Sequence, residues 1–328
     1  MSSLKMAVAC LAMTAMVAAA PAQNLGTEPA NLVTLSTRAG GGDPIATYEL
    51  AIKYASGEGV AQDYVRAAEL SQLAADRGFP DAQCFLGHLY EHGLGVPRND
   101  IEALRYFKMA AQQGHALAAN NIGAMYEAGR GTSKDLNEAL RWYRSAAEHG
   151  DADGQLNLGA AYFFGRGVRR DYTAAGKWIR KAAEQGHAVA QIAMFDMHFF
   201  GKGVKKNTAY AIRWLRKAGD QGHAGAQVGL FSIYYQGNGV AVDYQEAAGW
   251  ARRAAEQRDH EGEAALAYLY EQGKGLPLNY VTAYRLYRTS FEGGNKKTKA
   301  RMESLLQVMT PRQIAEANSP SSSLRTPE

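Results

Sequence analysis

The stretch Ala118-Ala-Asn-Asn-Ile122-Gly123-Ala-Met-Tyr126-Glu-Ala-Gly129-Arg-Gly131-Thr-Ser-Lys-Asp135-Leu-Asn-Glu-Ala139-Leu-Arg-Trp142-Tyr-Arg-Ser-Ala146-Ala147 decides the fold. Apolar or small residues fall at 118, 119, 122, 123 and 126, a helical spacing rather than the alternation of a strand. They recur at 139, 142, 143, 146 and 147, after two glycines. The pattern predicts two amphipathic helices joined by a turn. Gly129 suits the end of the first helix because it reaches positive φ without a Cβ clash. Asp135 suits the start of the second, where its carboxylate accepts an orphan backbone N–H.

The same unit recurs along the chain. The four tryptophans, Trp142, Trp178, Trp214 and Trp250, lie 36 residues apart. A G-x-G pair recurs seven times, from Gly57/Gly59 to Gly273/Gly275. An Asx follows each pair (Asp63, Asn99, Asp135, Asp171, Asn207, Asp243, Asn279), with alanine four residues further on, from Ala67 to Ala283. Leu50, Leu86, Ile122, Leu158, Met194, Leu230 and Leu266 form one large apolar column. Tyr54, Tyr90, Tyr126, Tyr162, Tyr234 and Tyr270 form another, interrupted by His198. One helix pair cannot bury both of its faces, so successive pairs must stack. The expected fold is all-α, a right-handed α-solenoid of seven 36-residue helix-turn-helix repeats over residues 43–294.

The ends differ from the repeats. Residues 1–22 have the form of a signal peptide, with Lys5, an apolar stretch Met6–Ala20 and the small-x-small site Ala20-Pro21-Ala22. Export, periplasmic or secreted, after cleavage near Ala22 is therefore expected. Cys10 comes too early for a lipoprotein site, with the apolar run behind it. Its removal leaves Cys84 alone, so the mature chain has no intrachain disulfide. Residues 23–42 read as a flexible lead-in. Residues 295–317 read as a C-terminal cap, where Thr310-Pro311-Arg312-Gln313 carries an N-cap, a proline at N1 and a capping-box glutamine. Residues 318–328 read as a disordered tail, and no further apolar run is long enough to span a membrane.

The pattern Leu158-Gly159, Tyr162, Gly165, Gly167, Val168, Asp171, Ala175, Trp178, Ala182-Ala183 and Gly186 resembles the Sel-one-like repeat, a relative of the tetratricopeptide repeat. The departures are local: Phe195 and Phe231 replace glycine, and Leu70 and Leu286 replace tryptophan in the terminal repeats. The resemblance implies a scaffold or adaptor that binds proteins, common among exported bacterial proteins. A cysteine-rich branch has been credited with β-lactamase or penicillin-binding activity. That branch carries paired cysteines in each repeat, which this chain lacks, so the activity is not carried over.

Two motifs mislead. The G-x-G pairs lack the preceding strand and the third glycine of a dinucleotide fingerprint, and their repetition marks a turn. His88-Leu-Tyr-Glu91-His92 matches a zinc-protease pattern, and Cys84, His88 and His92 share a helix face. Glu91 recurs as Glu127 and Glu271, however, which makes it a repeat position. Neither a metal nor a cofactor is expected, and Cys84, His88 and His92 stand as the set to examine. His115, His187 and His223, 36 residues apart, read as structural residues of the inter-repeat loop.

By analogy with tetratricopeptide repeats, the first helix of each pair lines a concave groove. Its inward positions in repeats four to six include Leu156, Phe163, Phe164, Ile192, Phe199, Phe200, Val228 and Tyr235. Large apolar residues exposed together mark an interaction site. Residues 165–217 hold twelve Lys/Arg against three acids, with Arg169, Arg170, Arg180, Lys181, Lys205, Lys206, Arg216 and Lys217 supplying most of the excess. Residues 43–164 hold sixteen acids against ten bases. The partner expected is a protein or peptide, and the charge admits an acidic peptide or an anionic glycan. Nucleic acid does not suit an exported chain. The function read from the sequence is a non-enzymatic scaffold of the cell envelope or secretory compartment. The alternatives are an envelope-polysaccharide assembly factor and a cell-wall enzyme acting on β-lactams or peptidoglycan.

Overall fold

The computed structural model describes residues 32–319. The expected signal peptide, residues 23–31 of the lead-in and residues 320–328 of the tail lie outside them. Among the described residues are seventeen α-helices, one short 3-10 turn and no strand. Fourteen helices form seven pairs, each with a first (A) and a second (B) helix. The A helices are α2 (Pro44–Ser56), α4 (Pro80–His92), α6 (Ala116–Ala128), α8 (Ala152–Phe164), α10 (Ala188–Phe200), α12 (Ala224–Gln236) and α14 (His260–Gln272). The B helices are α3 (Tyr64–Asp76), α5 (Asp100–Ala111), α7 (Leu136–Glu148), α9 (Tyr172–Glu184), α11 (Thr208–Asp220), α13 (Tyr244–Glu256) and α15 (Tyr280–Glu292). The fold is an α-solenoid of adjacent helix pairs in contact. No helix of the described residues is long and apolar enough to cross a membrane.

The described residues divide into two compact units, 32–190 and 191–319, with the division inside α10. In the first unit, each helix from α2 to α9 packs on the next, and the A helices α6 and α8 also touch directly. In the second, α12 and α14 make the equivalent A-to-A contact, and α15 carries the C-terminal helices α16 (Lys299–Val308) and α17 (Pro311–Asn318).

Every B helix is capped by its Asx, as Asp135 does by accepting the backbone N–H groups of Asn137 and Glu138. The alanine column lies at helix–helix contacts, with Ala67, Ala103, Ala175, Ala211, Ala247 and Ala283 wholly buried and Ala139 nearly so. The Leu column is buried throughout. Tyr126, Tyr162 and Tyr234 are half-buried because their hydroxyls reach out to Lys108, Arg144 and Arg216. Trp214 and Trp250 are buried, whereas Trp142 and Trp178 keep an edge in solvent.

Within a pair, close A–B approach depends on size complementarity. A Cβ added at Gly123 would stand 2.6 Å from the Tyr143 ring. In repeat six the sizes are exchanged: Phe231 takes the glycine position and Ala251 the facing one, and Phe231 packs on the cluster that contains Ala251. This preserves total volume at the contact.

One sequence expectation fails at the start. Residues 23–42 read as flexible, yet Leu32–Gly40 form a helix, α1, whose Leu35 is buried against Ala46, Leu50, Ala51 and Leu70. The first repeat has no predecessor to cover its apolar side, and α1 supplies that cover. At the other end, Thr310 and Gln313 form the expected capping box, and Ala317 of α17 joins the last core cluster. The tail reading begins one residue too early, since Asn318 still belongs to α17.

Candidate functional site

In three repeats the last turn of the A helix meets the turn residue between the glycines of the next repeat. In the first unit, Arg130 donates to Glu91 at 2.5 Å, and Arg166 donates to Glu127. The partners are 39 residues apart in each case, so the contact belongs to the repeat. Glu127 also accepts from the Tyr143 hydroxyl at 2.8 Å; burial, then the neighbouring carboxylate, hold that phenol well above its usual range. In the second unit, Glu271 is held alike, by Tyr287 at 2.6 Å and by Arg301 of α16 at 3.1 Å. The carboxylate thus sits between a cation and a phenol.

Repeat six departs from this rule. Tyr235 stands where repeats two, three and seven carry glutamate, and the turn cation Lys274 donates to its phenol at 3.1 Å, again across 39 residues. Lys274 lies over the rings of Tyr235 and Tyr244, at 5.1 and 5.0 Å from their centroids. The Tyr235 ring also meets Phe231 (5.6 Å) and Tyr268 (5.5 Å), and Arg301 lies over Tyr268 at 5.0 Å. Burial alone would raise the Tyr235 phenol, but hydrogen bonds with Tyr268 and Lys274 outweigh it and hold the group below its usual value.

The eight groove residues expected from sequence divide by exposure. Leu156, Phe163 and Ile192 are buried and offer nothing to a partner. Leu156 lies in the second turn of α8, and Ile192 is its equivalent 36 residues on. In the first unit Phe164 is half-buried, edge-on to Phe163 at 5.1 Å, with Arg166 over its ring. In the second unit Phe199, Val228 and Tyr235 are half-buried, and Phe200 is 59% exposed. Phe199 packs 5.2 Å from both Phe195 and Phe200.

The metal set also changes. Cys84 is buried in the cluster with Leu104, Phe107 and Ile122, where burial pushes its thiol up. It does not join the histidines. His88, Glu91 and His92 do come together, with potential ligand atoms within 4.8 Å of one another. Burial and the facing His92 push His88 down to about 4, a state suited to metal ligation. Glu91, however, already neutralises Arg130, whose positive charge opposes a cation there.

The basic residues are all exposed. Arg169, Arg170, Arg180 and Lys181 belong to the first unit, Lys205, Lys206, Arg216 and Lys217 to the second. They occupy B helices and the turns leading into them. Arg216 is committed to Glu246 and Tyr234, and Lys181 and Lys217 stack over Trp178 and Trp214.

The loop histidines cap A helices. His115 Nδ1 accepts the Ala118 N–H while Nε2 faces Asp81; His187 does the same with Ala190 and Asp153, and His223 accepts from Ala226. An accepting Nδ1 places the proton on Nε2. A buried glutamine column went unread in the sequence. Gln83, Gln155, Gln191 and Gln227 each accept from a glutamine 30 residues on. Sequence reasoning also missed Phe231, Tyr268, Lys274 and Arg301. The 36-residue register pointed to Lys274, as the middle residue of the last G-x-G, whereas Arg301 lies beyond the repeats and outside any register.

The Sel1 repeat family model matches seven consecutive segments, residues 44–79, 80–115, 116–151, 152–187, 188–223, 224–259 and 260–295. Among solved structures, a Sel1 repeat protein from Oxalobacter formigenes is similar at a TM-score of 0.68 and 30% identity, over 84% of this chain and 79% of that one. The protective antigen c5321 from uropathogenic Escherichia coli, which displays the same repeat fold, is similar at 0.49 and 31% identity, over 88% and 70%. No curated protein matches.

Proposed function

Because the chain belongs to the Sel1 repeat family, whose members are generally protein-interaction scaffolds, we propose that it is an exported, non-enzymatic scaffold that holds a polypeptide along the A-helix face of its second unit. The observation that carries this reading is Phe200, a large ring left 59% exposed at the end of α10 with Phe199 beside it. A solvated phenylalanine contributes nothing to the core, and aromatic anchors dominate protein interfaces. Tyr235 repeats the Phe199 position one A helix further on, next to Phe231 and Tyr268. Export rests on Lys5, the apolar stretch Met6–Ala20 and the cleavage site near Ala22.

The test uses immobilised mature protein and an envelope extract of the source cells. A partner retained by the native chain should be lost from the Phe199→Ala/Phe200→Ala variant and kept by Lys217→Ala, which alters a B helix. Retention indifferent to the phenylalanines would sink the reading. A chromogenic β-lactam should not be turned over; hydrolysis that vanishes with a point mutation would favour the cell-wall enzyme instead.

A further inference from the structure

We propose that Lys274, Arg301 and the rings of Tyr235 and Tyr268 form a subsite for a carboxylate of the bound polypeptide, an acidic side chain or a free C-terminus. This deepens the scaffold reading and rests on it.

Repeats two, three and seven share one arrangement at this position. Where the A helix ends in Glu91, Glu127 or Glu271, the protein supplies its own carboxylate to a neighbouring arginine. At Glu127 and Glu271 a phenol completes the arrangement. Repeat six keeps the cation and removes the acid. Glutamate becomes Tyr235, and the B-helix position that carries Tyr143 or Tyr287 elsewhere becomes Ala251. Lys274 is left with the phenols of Tyr235 and Tyr244 and their ring faces, and with no carboxylate among the described residues. An ammonium carries three donors, and two phenols accept at most two of them.

Arg301 adds a second cation from α16. Its carboxylate partner among the described residues is Glu271, reached through Nη1, and its guanidinium plane covers Tyr268. Tyr235 and Tyr268, 5.5 Å apart, bring the two cations to adjoining rings. The cluster of Lys274, Arg301 and Glu271 therefore carries a surplus positive charge over an aromatic floor. A carboxylate entering there would play the part that Glu127 plays in repeat three. The rings would take the flat or apolar part of the same residue or its neighbour. Charge complementarity selects an acid, and the aromatic floor selects a peptide over a bare anion.

The probes are two fluorescein-labelled hexapeptides of glutamate and tyrosine, one native and one with glutamine for each glutamate and an amidated C-terminus. Anisotropy titrations use the full mature chain at low and at physiological salt. The acidic peptide should bind at least tenfold more tightly than the neutral one. Lys274→Met should remove most of that ratio while leaving the neutral peptide unchanged, and Arg301→Met should reduce it less. Tyr235→Phe should keep or raise it, because Lys274 loses one of its internal acceptors. Thermal melts on each variant establish that it is folded, and Tyr235→Phe keeps the test alive if a lysine variant is not. Equal binding of the two peptides, with both lost in Phe199→Ala/Phe200→Ala, would overturn the carboxylate subsite and leave the peptide face standing. Failure of both peptides to bind at millimolar concentration would overturn the subsite and the face together.

Discussion

Three turn glycines flanking α6 should respond very differently to the same substitution. Gly114, Gly129 and Gly131 all have positive φ, at 85°, 71° and 65°. Changing any of them to alanine forces an L residue into the left-handed region, at about 1–2 kcal/mol. At Gly114 a new Cβ meets nothing within 4 Å, so that figure is the whole cost. At Gly129 the Cβ lies 3.2 Å from the Lys134 nitrogen, which a small shift relieves. At Gly131 it would lie 2.2 Å from the carbonyl oxygen of Asp100 and 2.6 Å from its carbonyl carbon. Asp100 begins the B helix of the preceding repeat, so the collision is backbone against backbone and no rotamer escapes it. Gly95, Gly167 and Gly275 make the same approach to Tyr64, Leu136 and Tyr244. Overpacking of this kind adds about 1–3 kcal/mol, which brings Gly131→Ala to about 2–5 kcal/mol in all. Urea unfolding followed by far-UV circular dichroism measures each loss. Gly131→Ala should also broaden the transition and lower its slope, because it weakens an interface between repeats. If Gly114→Ala proves as costly as Gly131→Ala, the second glycine is needed for its φ alone and the close-approach argument is wrong.

Trp214→Ala should cost about 3–5 kcal/mol through a core cavity, whereas Phe200→Ala, with its ring largely in solvent, should stay within about 0.5 kcal/mol; thermal melts showing equal losses would place the Phe200 ring in the core. Gln155→Leu removes the bonds of Gln155 to Gln185 and to the Ala147 carbonyl, although Gln185 keeps its bond to the Gly150 carbonyl and Ala147 keeps the Gly150 N–H. It should lower stability by about 0.5–1.5 kcal/mol, and an unchanged urea midpoint would refute this. Asp151 is raised to about 6, first by burial and then by Asp153, against the opposing hydrogen bond from Gly154. Because its folded value exceeds the unfolded one, its effect is unfavourable above pH 6 and fades as pH falls toward about 4. Asp151→Asn keeps a side-chain oxygen for the cap, so it should raise stability at pH 7.5 by about 1–3 kcal/mol and change little at pH 4. A larger gain at pH 4 than at pH 7.5 would contradict the sign.

The parts of the fold that depend on neighbours in sequence were legible. The Asx caps, the Thr310–Gln313 box and the alanine column follow from helix geometry and a fixed period, and the structure bears out the seven helix pairs. The helix over Leu32–Gly40 was missed because its one decisive residue, Leu35, acts through contacts with another element. The candidate face was read less well. Amphipathic spacing marks a side of a helix but does not say where along it a neighbouring helix ends its cover. Leu156 and Ile192 were therefore taken for surface, while Phe200, at the last turn, is exposed. The Glu–Arg contacts across 39 residues follow the register and were readable from it in principle. The Tyr235–Lys274 exception gains its meaning only from Arg301, which comes from a cap without a repeat.

The central claim is that a polypeptide rests on the A-helix face of the second unit. Site-specific photocrosslinking in the source cells tests it most directly, with a photoreactive phenylalanine analogue placed at Phe200 in one strain and at Lys217 in another. The account predicts a discrete protein adduct from position 200 and none from position 217, which lies on a B helix. An adduct from position 217 alone, or the same adducts from both, would contradict it.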